Sequence, residues 1–387
     1  MNVTRKDFLS LAASAAAMPV RASSPAPLPE IKAMLMHWGL NQWGEYVPGG
    51  LDTIGGAKNV YKTKVLFDEA VWNRFVDAMV AAGMNMVVVD LGEFPVYPSH
   101  PELALPGSRS PEWILSEVRR LKKLGLELIP KLNFSATHDA WLQEYSHMLT
   151  TSKYRQVCSD IIRDTSEMFD HPRFLHIGYD EEGFELQKGF KCVRCDEVWW
   201  SDFLYIVNAV ESCGMRTWMW SDYGWRHEDF ADKCPKQVLQ SNWYYDEQLA
   251  GFDMASMAPS HKLARVILNL YKKLDKAGFD QVPCGSNWKS KKYRDSGRPV
   301  NDSIVDLVKY GRKFISREHL KGFMMGSWSG CTQEGEQHNM EAISLMQKAV
   351  GFVYKGGSAP ACKEQYWRLR YLPDSSFPDM KRPNRLL

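Results

Sequence analysis

The chain has 387 residues, 44% hydrophobic and 24% charged, an ordinary globular balance with ample apolar material for a core. A formal net charge of +2 removes the electrostatic case for a nucleic-acid partner. The 14 Trp are many for this length. Their positions decide between a Trp-rich core and a set of flat apolar binding platforms.

The first 22 residues read as an export signal, with positive charge at Arg5-Lys6, an apolar Ala-rich run from Phe8 to Met18, and small residues around Val20-Arg21-Ala22. Thr4 to Leu9 resembles a twin-arginine signal in which Lys6 replaces the second Arg. The run is too short to anchor in a bilayer, so no membrane span is expected. The layout predicts export to the periplasm or exterior of a bacterium. Residues 23–30 form a Pro/Ser/Ala linker.

Eight strand-like apolar runs follow: Ala33–Trp38, Asn85–Leu91, Glu127–Asn133, Phe174–Asp180, Thr217–Asp222, Val238–Tyr244, Gln281–Trp288 and Gly322–Trp328. Helical spacing fills most intervals. Val71, Phe75, Met79 and Val80 lie on one face before Gly83, Ser110-Pro111-Glu112 opens a second helix, and Gly125 and Gly214 close others. Only the interval between strands five and six is short of helix. Eight alternating units predict an α/β fold of the closed (β/α)8 TIM-barrel type, one catalytic domain over 31–371, with a loose tail over 372–387. No glycine-rich phosphate loop follows the first strand, and no cofactor is expected. Cys192 and Cys195 form one C-x-x-C without a second close pair, which fits a local disulfide or inert thiols better than a metal; no metal site is expected.

In such barrels the chemistry lies at the C-terminal ends of the strands. Those ends carry Trp38, Asp90, Asn133, Asp180-Glu181, Asp222, Tyr244 with Asp246, Trp288 and Trp328. Aromatic faces stack on the apolar face of a sugar, and carboxylates take its hydroxyl hydrogen bonds, so a carbohydrate partner is indicated. Side chains alternate between barrel interior and helix layer. In strand four this parity sends Leu175 and Ile177 outward, and His176, Gly178 and Asp180 inward, with Glu181 one step on at the mouth. In strand six the polar members Gln240 and Asn242 mark one parity as interior, which brings in Tyr244 and Asp246 and sends Trp243 to the helices. Strand five places Trp218, Trp220 and Asp222 together. Neighbouring carboxyls raise each other's cost of ionisation, and a raised carboxylic acid can protonate a glycosidic leaving group near neutral pH.

Leu175 to Glu181 resembles the strand-four motif His-x-Gly-Gly-Asp-Glu of the family 20 glycoside hydrolases, the β-N-acetylhexosaminidases. Ile129-Pro130 with His138, Trp220-Ser221-Asp222, Tyr244-Tyr245-Asp246 and Gly326-Ser327-Trp328 are similar to other strand-end segments of that family. The resemblance implies a retaining mechanism in which the substrate's own 2-acetamido oxygen attacks the anomeric carbon. Asp180 would orient that group, Glu181 would act as general acid and base, and Tyr244 and Asp246 would bind the sugar between Trp220 and Trp328. The sequence departs from the pattern at Tyr179, which replaces the second Gly, at Met36-His37-Trp38, where the family carries an Arg, and at Gly330, where it carries a Glu. Two other readings stand beside this one. Glu181 pairs with a second carboxylate, Asp90 or Asp222, on sugars without an acetamido group, or the barrel binds sugar without turnover.

Overall fold

The computed structural model describes residues 29–44, 46, 61–182, 194–245, 262–289 and 301–351. The export signal, residues 23–28 of the linker, the tail over 372–387, Cys192 and Asp246 lie outside the described residues.

The eight predicted strands are present, as β1 (Ile31–His37), β2 (Met86–Asp90), β3 (Glu127–Lys131), β4 (Phe174–His176), β5 (Arg216–Trp220), β6 (Leu239–Ser241), β7 (Cys284–Ser286) and β8 (Gly322–Gly330). They hydrogen-bond in parallel in the order β6-β5-β4-β3-β2-β1-β8-β7. The remaining seam is closed by isolated parallel bridges, Gln240 with Gln281 and Trp243 with Cys284. The chain is a (β/α)8 TIM barrel.

A helix follows each strand: α1 (Glu69–Ala81), α2 (Pro111–Lys123), α3 (Ser152–Met168), α4 (Asp196–Ser212), α5 (Phe230–Lys233), α6 (Lys262–Lys276), α7 (Ser303–Phe314) and α8 (Gln333–Val350). Their starts are set by local chemistry. The side chains of Asp68, Ser110, Thr151 and Thr332 each accept backbone N–H bonds of the first turn. Gly125 and Gly214 follow their helices at φ of 80° and 77°. The helix-poor interval between β5 and β6 holds only a short 3-10 turn over Asp222–Trp225 and the four-residue α5. No helix among the described residues is long and apolar enough to cross a membrane.

Two apolar layers follow strand alternation. One faces the helices and contains Met34, Met36, Val87, Val89, Leu175 and Ile177. The other fills the barrel with Ala33, Leu35, Met86, Val88, Ile129, Phe174, Trp218, Leu239, Val282 and Met324. Above the inner layer the composition changes. His37, Asp90, Lys131 and His176 lie opposite one another on four successive strands and are buried. Such layers are usually branched aliphatics, and a buried ion pair is seldom more stable than an apolar filling. This polar layer marks where the core stops and the floor of a site begins.

Two expectations are corrected here. Trp38 turns to the helix layer, packing edge-on against Trp72 and Trp113, while its neighbour His37 points inward. The parity of β6 is reversed. Tyr244 is buried in the outer layer, whereas Trp243 packs against the inner one. The polar residues used to mark the interior find their partners outside: Gln240 Nε2 donates to the Val238 carbonyl, and Asn242 Nδ2 to the Ile267 carbonyl of α6. The inward position of that strand is Ser241, whose hydroxyl accepts the Trp218 indole N–H at 2.8 Å.

Candidate active site

The turn after β4 is built from left-handed residues: Gly178, Tyr179 and Glu181 have φ of 72°, 68° and 56°. Ladder pairing of β4 therefore ends at His176 rather than at the predicted Asp180. Gly178 has no substitute, since a Cβ there would stand 2.0 Å from Asn133 Oδ1. Tyr179 holds the same region with a full side chain, at a cost of about 1–3 kcal/mol. Its packing offsets this, edge-on to Trp199 and Phe203, with the Arg194 guanidinium 5.0 Å from its ring. The result is that successive residues, Asp180 and Glu181, both face one cavity.

Each carboxylate is fixed from the β3 side. Asn133 Nδ2 donates to Asp180 Oδ1 at 2.9 Å. His138 Nε2 lies 3.1 Å from Glu181 Oε2 and 3.4 Å from Asp180 Oδ2, and its Nδ1 lies 2.9 Å from the Gln42 carbonyl. Carboxylate and carbonyl oxygens accept, so both ring nitrogens must donate, which only an imidazolium can do. Burial alone would lower the His138 pKa, but Asp180 and Glu181 outweigh it and push it up to about 9. A cation thus bridges the acidic pair at neutral pH. His176, by contrast, is held neutral by burial and by nearby Lys131, and its Nδ1 accepts the Gly178 N–H at 3.1 Å.

Asp90 and Asp222 stand behind the cavity wall. Asp90 is 1% exposed and accepts a hydrogen bond from Lys131 Nζ. Asp222 is 9% exposed, and its Oδ2 accepts the backbone N–H of Glu181 at 2.8 Å. Burial, with Asp180 and Glu181 beside it, pushes Asp222 up to about 8. Neither lines the cavity, and neither does Tyr244, which belongs to the helix layer.

The cavity has a volume of about 1140 Å³. That exceeds the 300–1,000 Å³ usual for small-molecule sites. His138, Trp220, Trp288 and Trp328, all singled out from the sequence, line it. Its far wall, from the β8 end and α8, adds Ser329, His338 and Glu341. Trp328 is the hub of the aromatic lining, 5.9 Å from Trp220 and 5.8 Å from Tyr245, with Tyr245 stacked on Trp243 at 4.9 Å. On the β1 side His37 lies between Trp43 and Trp328. Trp288 is 44% exposed at the mouth. Among the described residues no cluster of His, Cys, Asp and Glu is arranged to hold a metal ion.

A buried brace sets this wall from behind. Glu182 Oε1 accepts the Ala136 N–H at 2.7 Å and pairs with Arg194, whose guanidinium also donates to the Phe134 carbonyl at 2.9 Å and lies 3.5 Å from Asp202. Arg194, Glu182 and Asp202 have side chains at most 1% exposed. Arg194→Met leaves Glu182 buried without its cation, while Asp202 keeps Arg155, and is expected to lower unfolding free energy by about 3–5 kcal/mol. Urea denaturation measures this, and a loss below about 1 kcal/mol would show that the brace is not structural.

Sequence reading missed Trp43, Trp243, Tyr245 and the β8–α8 wall. Trp43 sits on a loop, where strand parity says nothing. Trp243 and Tyr245 were within reach, because Leu239, Ser241, Trp243 and Tyr245 alternate as apolar, small, aromatic and aromatic. That pattern fits a barrel interior packed against Trp218.

No family model matches the sequence, and no curated protein matches it. Solved structures are similar in fold. A β-N-acetylhexosaminidase from Bacteroides fragilis superposes with a TM-score of 0.54 at 11% identity, over 83% of this chain and 65% of that one. An exo β-N-acetylglucosaminidase from Vibrio harveyi gives 0.52 at 10% identity, over 83% and 54%. An N-acetyl-β-hexosaminidase from Streptomyces plicatus gives 0.51 at 12% identity, over 81% and 62%. This chain therefore spans less than two thirds of the length of each. At such identities the likeness is one of fold.

Proposed function

We propose that this chain is a divergent family 20 glycoside hydrolase, cleaving N-acetylated glycans with the substrate's acetamido group as nucleophile. The acetamido oxygen attacks the anomeric carbon while Glu181 gives its proton to the departing glycosidic oxygen. Asp180, held by Asn133 and His138, orients the acetamido N–H and balances the positive charge of the oxazolinium ring. Glu181 then takes a proton from water as that water attacks the same carbon, so configuration is retained. Trp220 and Trp328 supply the apolar walls for the sugar ring. The export signal read over residues 1–22 fits an enzyme that meets its glycan outside the cytoplasm.

The observation that carries this reading is the withdrawal of Asp90 and Asp222 from the cavity, whose other carboxyls besides the acidic pair, Glu334 and Glu341, belong to the far β8–α8 wall. A protein nucleophile must reach the sugar, and a retaining pair stands about 5–5.5 Å apart across it. Asp90 is buried against Lys131, and Asp222 is buried against a backbone N–H, so the two residues that would serve a non-acetamido mechanism are occupied outside the cavity.

The test compares nitrophenyl N-acetyl-β-glucosaminide with the matching β-glucoside. The expected result is turnover of the first at least about 100-fold faster, because an intramolecular nucleophile is lost with the acetamido group, and inhibition by a thiazoline analogue of the intermediate. Equal turnover of the two, or none on any acetamido sugar, would overturn the proposal.

A further inference from the structure

The turn that carries Glu181 is also held through its backbone from the end of β5. Glu181 sits at φ 56°, a region a non-glycine residue occupies only when something fixes it. Its N–H donates at 2.8 Å to Oδ2 of Asp222, the residue that ends the β5 segment and opens the 3-10 turn Asp222–Trp225. The other oxygen, Oδ1, is buried with no hydrogen-bond partner among the described residues. A carboxylate with an empty oxygen and two acidic neighbours is costly to bury, whereas a neutral carboxyl accepts the N–H through its carbonyl oxygen without adding charge.

We infer that Asp222 is a positioning residue which, in its protonated form, locks Glu181 in the left-handed turn and so aims the Glu181 side chain at the scissile bond. This rests on the reading of Glu181 as the acid and base. It reassigns Asp222 from the sugar-binding role expected from the sequence to a role exerted through the backbone.

The charged and titratable groups around Asp222 fit this assignment. Asp180 and Glu181 face it from the turn after β4, and Tyr245 from the end of β6, with the His138 cation on the far side of the acidic pair. Burial comes first and the two acids second in holding the Asp222 proton, up to about pH 8. Below that pH Asp222 stays neutral beside Asp180 and Glu181. Above it Asp222 gains a negative charge that Asp180 and Glu181 repel, which loosens its hold on the Glu181 N–H.

The experiment measures kcat and KM from pH 5 to 9 for the full chain, Asp222→Asn, Asp222→Ala and Glu181→Gln on a nitrophenyl N-acetyl-β-glucosaminide, with thermal melting as the check on folding. Asp222→Ala releases the N–H and is expected to lower kcat about 100-fold at pH 6 with KM within about 3-fold, the scale seen when a reacting group is misplaced. Asp222→Asn keeps an acceptor oxygen and mimics the neutral acid, and recovers most of that loss. The ratio of wild-type to Asp222→Asn kcat/KM is flat below pH 7 and falls above about pH 8, because only the wild type loses the neutral carboxyl that holds the turn. Asp222→Ala with kcat within about 3-fold of wild type would overturn the inference, as would an Asn variant no better than Ala, or a ratio flat to pH 9. If Glu181→Gln itself leaves kcat intact, the acid/base reading fails instead, which separates the two failures.

Discussion

Glu181→Gln is expected to lower kcat on a nitrophenyl N-acetyl-β-glucosaminide about 1000-fold with KM nearly unchanged, within the 10²–10⁴ that general acid–base catalysis contributes. The amide has the shape of the acid and can still accept from His138 Nε2, now 3.1 Å from Glu181 Oε2, so the turn and the cation stay in place. What it lacks is a transferable proton. Loss should therefore grow as the leaving group becomes poorer, from nitrophenol to a sugar alcohol, since a good leaving group departs with little protonation. Steady-state rates across such a series measure this. A loss under about 10-fold with the sugar leaving group, or one independent of leaving group, would remove Glu181 from the chemistry.

Asp180→Asn is the second large effect. It removes the charge that balances the oxazolinium while keeping the side chain's size, and kcat is expected to fall about 100- to 1000-fold, the scale of losing one preorganised electrostatic partner. A second readout does not depend on turnover. Asp180 is the largest of the influences that raise His138, followed by its hydrogen bond to Glu181, so removing the charge must lower the His138 pKa from about 9. Titration of the His138 ring by NMR follows that fall. An unchanged His138 would mean that Asp180 is not the charge holding it, and would break the geometry on which its orienting role depends.

The effects of Glu181 and Asp180 will not add in the double variant. Both carboxylates contact one imidazolium and share a turn held by Gly178 and Tyr179, and residues that act as one unit are non-additive.

Much of this architecture is legible in the sequence because it depends on periodicity. Apolar runs of strand length and helical spacing between them give eight β/α units, and alternation along Phe174 to Ile177 gives the inside and outside of β4. Helix starts at Ser110 and ends at Gly125 and Gly214 follow from capping chemistry alone. The acidic pair, Trp288 and Trp328 emerge from one rule, that barrel strands end at the site, while Trp220 follows from the parity of strand five and His138 from the family resemblance.

The errors arise where a residue's type does not reveal its partner. Gln240 and Asn242 are polar, and polarity in a strand suggests water or a site, yet both are satisfied by groups in the helix layer. Asp90 and Asp222 end their strands as a substrate ligand would. Lys131 and the Glu181 backbone N–H occupy them, and both come from strands distant in sequence.

The sequence alone therefore determined the eight β/α units, the barrel they imply and the acidic dipeptide at the fourth strand, because short-range spacing encodes these. Only the tertiary structure decided that Asp180 and Glu181 share one bridging cation, that Trp243 rather than Tyr244 turns inward, and that Asp222 supports Glu181 from behind. Those relations are distances across the barrel mouth, set by how strands separated by tens of residues close on one another, and no local pattern carries that information.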